Sequence, residues 1–365
     1  MNRLIDIIRH EIAERRILPF ARFMELALYC PKRGYYETKK DNPGRHGDFY
    51  TSVGTGELFG QLLARQFAEW LEPLRIADCG LRIVEAGAHD GKLAGDILAW
   101  LQTNRPELFK QIEYCVIEPS LQRQAWQKET LGQFSPVVRW LPRFNSSSGQ
   151  RLNGVIFSNE LLDALPIHRY GWDAGKQLWF EWGVVLEGER FVWAKIPGSE
   201  AQAGSASAIL HQPASLLKVL PDGYTIETGP AAEDWWRDAA EVLGRGKLMT
   251  IDYGLTADEL FSPERPGGTL RAYFRHHASD DLLANVGEQD LTAHVNFSAL
   301  RQIGEAAGLK TESFQSQAQF LTQILKKSLN DKSFGGLSPA RTRQFQTLTH
   351  PEHLGRAFRV LVQSR

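Results

Sequence analysis

The chain has 365 residues, with 42 lysines and arginines against 43 aspartates and glutamates. That length allows one large domain or two ordinary ones, and the balanced charge gives no global preference for nucleic acid or an anionic membrane. Three cysteines, Cys30, Cys79 and Cys115, are widely spaced without a CxxC pair, which fits a reducing compartment and offers no metal or redox motif.

In the opening "MNRLIDIIRHEIAERR", Leu4, Ile5, Ile8 and Ile12 recur at helical spacing, while Asp6, Glu11 and Glu14 are wrong for a transit peptide. No apolar run approaches the roughly 20 residues needed to span a bilayer. A soluble, cytoplasmic protein is expected. Pro19 stands at the first position of a second helix, "FARFMELAL", which Pro31 and Gly34 end. "GDFYTS", residues 47–52, is a polar loop before a further amphipathic helix, "ELFGQLLARQFAEWL". Residues 1–72 therefore predict a helical N-terminal cap.

From about Leu81 the pattern changes to short apolar runs separated by helices: "LRIVEA", "IEYCVIE", "GVIFS" and "KLMTID" as strands, "GKLAGDILAWLQ" and "AAEDWWRDAAEVL" as helices. Such alternation implies crossover units and a mainly parallel sheet, a doubly wound α/β core. The core is divided here into a first part, 73–168, and a second, 223–316. Between them, in 169–222, "KQLWFEWGVVLEGERFVWAKI" predicts paired strands joined at "EGER", an antiparallel insertion. Residues 317–365 supply helices and, in "AFRVLVQ", a last sheet strand.

The first strand runs into "EAGAHDGKLAGDIL", where Glu85 and Gly87 end the strand and Gly91 opens the helix. Ligands of open parallel sheets bind at this edge. A pyrophosphate would need backbone N–H groups and a small residue mid-loop, but the run is Gly87-Ala88-His89-Asp90-Gly91. A bulky and an acidic residue there disfavour a nicotinamide or flavin dinucleotide, and with it an oxidoreductase. S-adenosylmethionine (SAM) carries no phosphate. Its ammonium can be met by Glu85, and its ribose diol by Glu118 in "VIEPS", at the end of the second strand. The alternative is that Glu85 is a solvated strand end and the glycines only make a turn.

"GVIFSNELLDALPIHRY" puts Asn159 and Glu160 at the same sheet edge, with Asp163 three residues on. Glu160 could orient or deprotonate a nucleophile that Asn159 holds. Equally, either could cap a following helix with Asp163 on its first turn. "IDYG" places Asp252 and Tyr253 at a fifth strand end. The densest polar stretch holds Arg271, Tyr273, Arg275, His276, His277, Asp290, His294 and Asn296. Adjacent histidines do not normally face one metal, so no metal site is assigned and a substrate-facing loop is expected.

In order along the chain, "GYYETKKDNPGRHGDFYTS…FGQLLARQF", "EAGAHDGKLAGDIL", "SNELLDALPIHRY", "IDYG" and "GTLRAYFRHH…GEQDLTAHVNFSAL" resemble the MidA family of SAM-dependent methyltransferases. Its mitochondrial members are complex I assembly factors regarded as protein arginine methyltransferases. The resemblance covers nearly the whole chain. It implies the class I methyltransferase fold, a Rossmann-like seven-stranded sheet with an antiparallel last strand, and SAM as cofactor. It further implies methylation of a protein side chain, arginine first, with no nucleic-acid or membrane partner. Glu85, Gly87, Ala88, His89 and Gly91 match the first SAM motif, and Glu118 the ribose-binding acid. Asn159 and Glu160 match the fourth-strand motif, and Asp48, Thr51 and Ser52 the loop folding over the cofactor. Glu160 and Asp163 are the catalytic candidates, from position and this match.

Two departures stand out. The family's first motif reads like ELGPGRG, and its central glycine is here His89. Its "TSPEIS" is here "TSVGTG", so a Pro-Glu pair has become Val53-Gly54. These departures keep open a second reading, a catalytically silent SAM-binding scaffold. The oligomeric state is open.

Overall fold

The computed structural model describes residues 3–38, 51–75, 80–144, 151–199, 201–202, 219–275, 277–330 and 337–365. Two compact units divide the chain, each assembled from three segments. Met1–Lys39, Asp163–Glu233 and Gly254–Ala299 form the first, and Lys40–Leu162, Asp234–Tyr253 and Leu300–Arg365 the second.

The second unit is built on strands β1 (Leu81–Ala86), β2 (Ile112–Ile117), β3 (Val138–Leu141), β4 (Leu152–Asn159), β5 (Leu243–Leu255), β6 (Lys310–Ser316) and β7 (Phe358–Ser364). They lie in the order β3-β2-β1-β4-β5-β7-β6. The first five are parallel, and β7 runs antiparallel to both its neighbours. β1 and β2 are buried at every position but the second, which is why they read as unbroken apolar runs rather than alternating ones. Helices Lys92–Asn104 and Leu121–Thr130 make the crossovers that follow β1 and β2. Helix Leu58–Leu71 is buried along most of its length, Arg65 and Gln66 included. Its Phe67 ring meets Phe157 of β4 at 4.9 Å, and burying such a ring contributes about 2–3 kcal/mol.

Where seven strands were expected, the sheet holds eight, because Val295–Asn296 pairs in parallel with Gly254 and Leu255. Only glycine permits this approach: a Cβ at Gly254 would lie 2.5 Å from the Val295 carbonyl oxygen. β5 consequently runs past "IDYG", so Asp252 stands inside a strand and not at its end.

In the first unit the expected hairpin is present, Leu178–Glu187 against Arg190–Lys195, turning at Gly188. His168–Asp173 pairs with the hairpin on one side and Thr225–Thr228 on the other. Leu18–Pro19 is a two-residue strand on the same sheet, so the helix predicted from Pro19 begins one residue later, at Phe20. Trp172 and Trp179 are buried against each other with ring centroids 5.1 Å apart. They are core residues. The polar stretch expected as a loop is in part a three-stranded sheet, Arg271–Phe274 between His277–Ser279 and Asp290–Thr292; His276 lies outside the described residues. No helix among the described residues is long and apolar enough to cross a membrane.

Candidate active site

β1 and β4 are neighbours, Ala86 pairing with Ser158, so the turns that follow them leave the carboxyl edge of the sheet side by side. This is the crevice where strand order reverses, since β2 and β3 extend one way from β1 and β4 and β5 the other. A Cβ on Gly87 would meet Leu161 of the second turn at 3.0 Å.

The turn after β1 is left-handed at three places: Gly87 (φ 76°), His89 (φ 44°) and Gly91 (φ 86°). Glycine adopts these angles freely, whereas a side chain there is strained. His89 therefore occupies the position where a glycine is expected, without relaxing the backbone. The Gly91 N–H donates to the Ala88 carbonyl at 2.7 Å, and Asp90 Oδ1 accepts from the Lys92 N–H at 3.0 Å, closing the turn onto the helix. His89 Nε2 is buried without a partner among the described residues.

Glu85 lies below this turn, 2 % exposed. Tyr114 donates a 2.6 Å hydrogen bond to its carboxylate. Burial pushes the Glu85 carboxyl up to about 7, against the lowering effect of Tyr114 and with a small push from Asp90. Glu118 is equally buried and fully engaged. Its Oε1 accepts from the Ser120 N–H and from Arg123 Nη2, each at 2.9 Å. Its Oε2 accepts from Arg123 Nε at 3.0 Å and Gln127 Nε2 at 3.1 Å. Neither Arg123 nor Gln127 was singled out from the sequence. They sit on a helix, "LQRQAWQKET", polar nearly throughout, and no spacing distinguishes those two from its other polar residues.

The turn after β4 contains no glycine, yet Glu160 is left-handed (φ 52°). Its N–H donates to the Ile251 carbonyl at 2.9 Å. Its Oε1 accepts from the Ser52 N–H at 3.0 Å and from Asn159 Nδ2 at 3.1 Å. Oε2 is buried without a partner among the described residues, as is Asn159 Oδ1. Burial pushes the Glu160 carboxyl up to about 8; the bonds from Ser52 and Asn159 work against this, and nearby Asp252 adds to it. Because Oε1 already accepts two hydrogen bonds, the proton held at neutral pH belongs on Oε2. The helix expected beyond Asn159 and Glu160 is only a 3₁₀ turn, Leu162–Ala164. Asp252 steadies its entry, Oδ2 accepting from the Leu161 and Leu162 N–H groups at 3.1 and 2.8 Å.

Ser52 ties a further loop to this edge, its Oγ donating to Gln317 Oε1 at 3.0 Å. Beside it Thr51 Oγ1 accepts from the Gly54 N–H at 2.9 Å, and Lys92 Nζ donates to the Val53 carbonyl at 3.1 Å. Thr51, Ser52, Glu85, Gly87, Ala88, His89, Gly91, Glu118, Asn159 and Glu160 thus belong to one unit and one sheet edge. Asp48 lies outside the described residues. Asp163 belongs to the first unit. It is buried there, its carbonyl accepting from the Ala293 N–H at 2.9 Å. In the same unit Tyr36 donates to Asp290 Oδ1 at 2.9 Å, and burial holds His294 down to about 4, hence neutral.

A left-handed glycine turn at the switch point, with unpaired buried polar atoms on His89, Asn159 and Glu160 around it, fits a small polar ligand without phosphate. The comparisons with known proteins agree. The family model described as "Putative S-adenosyl-L-methionine-dependent methyltransferase" matches residues 62–315. A Drosophila melanogaster relative, named protein arginine methyltransferase NDUFAF7 homolog, mitochondrial, is 26% identical over 97% of this chain and 83% of its own. The human protein arginine methyltransferase NDUFAF7, mitochondrial, is 27% identical over 98% of this chain and 83% of its own. The crystal structure of a COG1565 superfamily member from Burkholderia thailandensis, bound to S-adenosyl-homocysteine, is 33% identical. It superposes with a TM-score of 0.84 over 99% of this chain and 92% of that one. The chain belongs to the MidA family and is a SAM-dependent methyltransferase.

Proposed function

We propose that this methyltransferase modifies a protein side chain, arginine first, and that Glu160 holds the acceptor and takes its proton. The observation that carries the reading is Glu160 itself. It is a buried carboxyl fixed through Oε1 by two N–H donors, with Oε2 unpaired. The names of the Drosophila and human relatives support arginine as the acceptor.

SAM supplies an electrophilic methyl group on a sulfonium. What remains for the chain is to align the acceptor, exclude water and receive one proton as the new N–C bond forms. A guanidinium gives up a proton reluctantly, so a dry carboxylate raised toward 8 is a better acceptor than an ordinary one. Asp163 is the second acid in this proposal, three residues along the chain. For the cofactor, the Gly87, Ala88 and Gly91 backbone lets it approach, with Glu85 beneath; Glu118 takes the ribose diol, and Asn159, His89 and the Asp48, Thr51 and Ser52 loop complete the enclosure. Since all four acceptor positions of Glu118 are filled, the Arg123 fork has to yield a contact when the ribose arrives. A reducing, cytoplasmic setting belongs to the same proposal, supported by the free, buried Cys30 and Cys115.

The test is transfer of labelled methyl groups from SAM to arginine-containing peptides, read by mass spectrometry. Glu160→Gln is expected to abolish turnover while S-adenosylhomocysteine still binds. Undiminished turnover would move the chemistry elsewhere.

A further inference from the structure

One buried side chain joins the two halves of the cofactor crevice. Gln127 is 0 % exposed, and its amide makes three hydrogen bonds. Nε2 donates to the His89 carbonyl at 3.0 Å and to Glu118 Oε2 at 3.1 Å, and Oε1 accepts from Trp140 Nε1 at 3.0 Å. The orientation of the amide is forced, because an indole offers only a donor and the other two neighbours only acceptors. Each hydrogen of Nε2 thus has its own acceptor. One acceptor is the carbonyl of the strained residue in the first turn; the other is the acid at the end of β2.

We propose that Gln127 is a positioning residue for the cofactor, fixing the His89 turn and the Glu118 carboxylate relative to each other. The proposal rests on the assignment of this crevice to SAM. Two loops from different strands have no shared backbone hydrogen bonds to set their spacing, and a rigid amide between them supplies it. Trp140, on β3, in turn keeps the amide from flipping. Preorganisation of this kind shows as affinity, because the free protein no longer has to order both loops when ligand arrives.

The experiment is calorimetric titration of the full chain with S-adenosylhomocysteine and with its 2′-deoxyribose analogue, comparing the parent with Gln127→Met and Trp140→Phe. The parent is expected to prefer the ribose ligand. Gln127→Met is expected to bind S-adenosylhomocysteine about tenfold more weakly, and to lose most of that preference because Glu118 is no longer aimed. A parent that binds neither ligand removes the cofactor assignment and the inference with it. A parent that binds, beside a Gln127→Met variant of unchanged affinity, overturns the inference alone. So does a loss that is equal for both ligands, since that marks general loosening. If Gln127→Met gives no cooperative melt, Trp140→Phe decides: a smaller loss with the same narrowed preference supports the proposal, and unchanged binding of both ligands overturns it.

Discussion

The turns after β1 and β4 leave adjacent strands at the same edge, yet they are held by opposite means. The first is glycine at two of its three left-handed positions, and its carbonyl at His89 is fastened by a neutral amide. The second has no glycine. It is bent at Glu160 and fastened by carboxylates, Asp252 gripping two N–H groups and Glu160 gripping the Ser52 loop. A glycine turn with a neutral tie is indifferent to pH and makes room for a ligand. A carboxylate-tied turn places a strained, titrating side chain where a proton has to move. Strain of this kind persists only where the surroundings over-determine it.

The sharpest way to break the contrast is to remove the carboxylate grip. Asp252→Ala leaves two N–H groups of the second turn without their acceptor, and the residue is 0 % exposed. Thermal melting is expected to show a loss of about 3 kcal/mol or more. Turnover is expected to fall further than stability explains, since Glu160 is then no longer held.

A smaller effect sharpens the contrast in pH. The Glu160 carboxyl, raised from its ordinary 4.5 to about 8, keeps its proton on folding across that window. Below the ordinary value the folded and unfolded chains are both protonated. As pH climbs from about 4.5 toward 8, the unfolded chain sheds a proton that the folded one retains, so the stability this group contributes is lost. Glu160→Gln, which cannot ionise, is expected to flatten the decline of melting temperature over that range. Parallel curves for parent and variant would contradict the raised value. In the parent the unprotonated form is the working base, so turnover is expected to rise with pH and level above about 8.

The smallest expected change lies in the first turn. His89→Gly relieves a left-handed side chain and removes the unpaired Nε2, which should stabilise the fold by about 1 kcal/mol. The same variant should bind S-adenosylhomocysteine less tightly if the imidazole touches the ligand. A variant that is both more stable and as tight a binder would leave His89 without a part in the site.

The contrast also marks what the sequence makes legible. β1, β2 and β4 announce themselves because strands buried on both faces need unbroken apolar runs. The first turn does so through its glycine spacing, although the strain at His89 comes only from the backbone. The carboxyl edge was legible at Asn159 and Glu160, but not their partners. The Ser52 N–H reaches Glu160 from a loop over a hundred positions earlier, and no local pattern carries such a pairing. Asp252 looked like a strand end because Gly254 follows it, whereas that glycine serves to admit a neighbouring strand. Gln127 gave no signal at all. Its importance depends on which atoms the fold brings to the two ends of one amide.

The place of β4 in the sheet has a kinetic consequence. Leu81 of β1 pairs with Asn153 of β4, while β2 and β3 come between them along the chain. A nascent chain that has emerged only as far as β3 can pair β1 on one side and must leave its other edge bare, an invitation to aggregate. The crevice has no second wall until that long loop closes, so the site is a late event in folding.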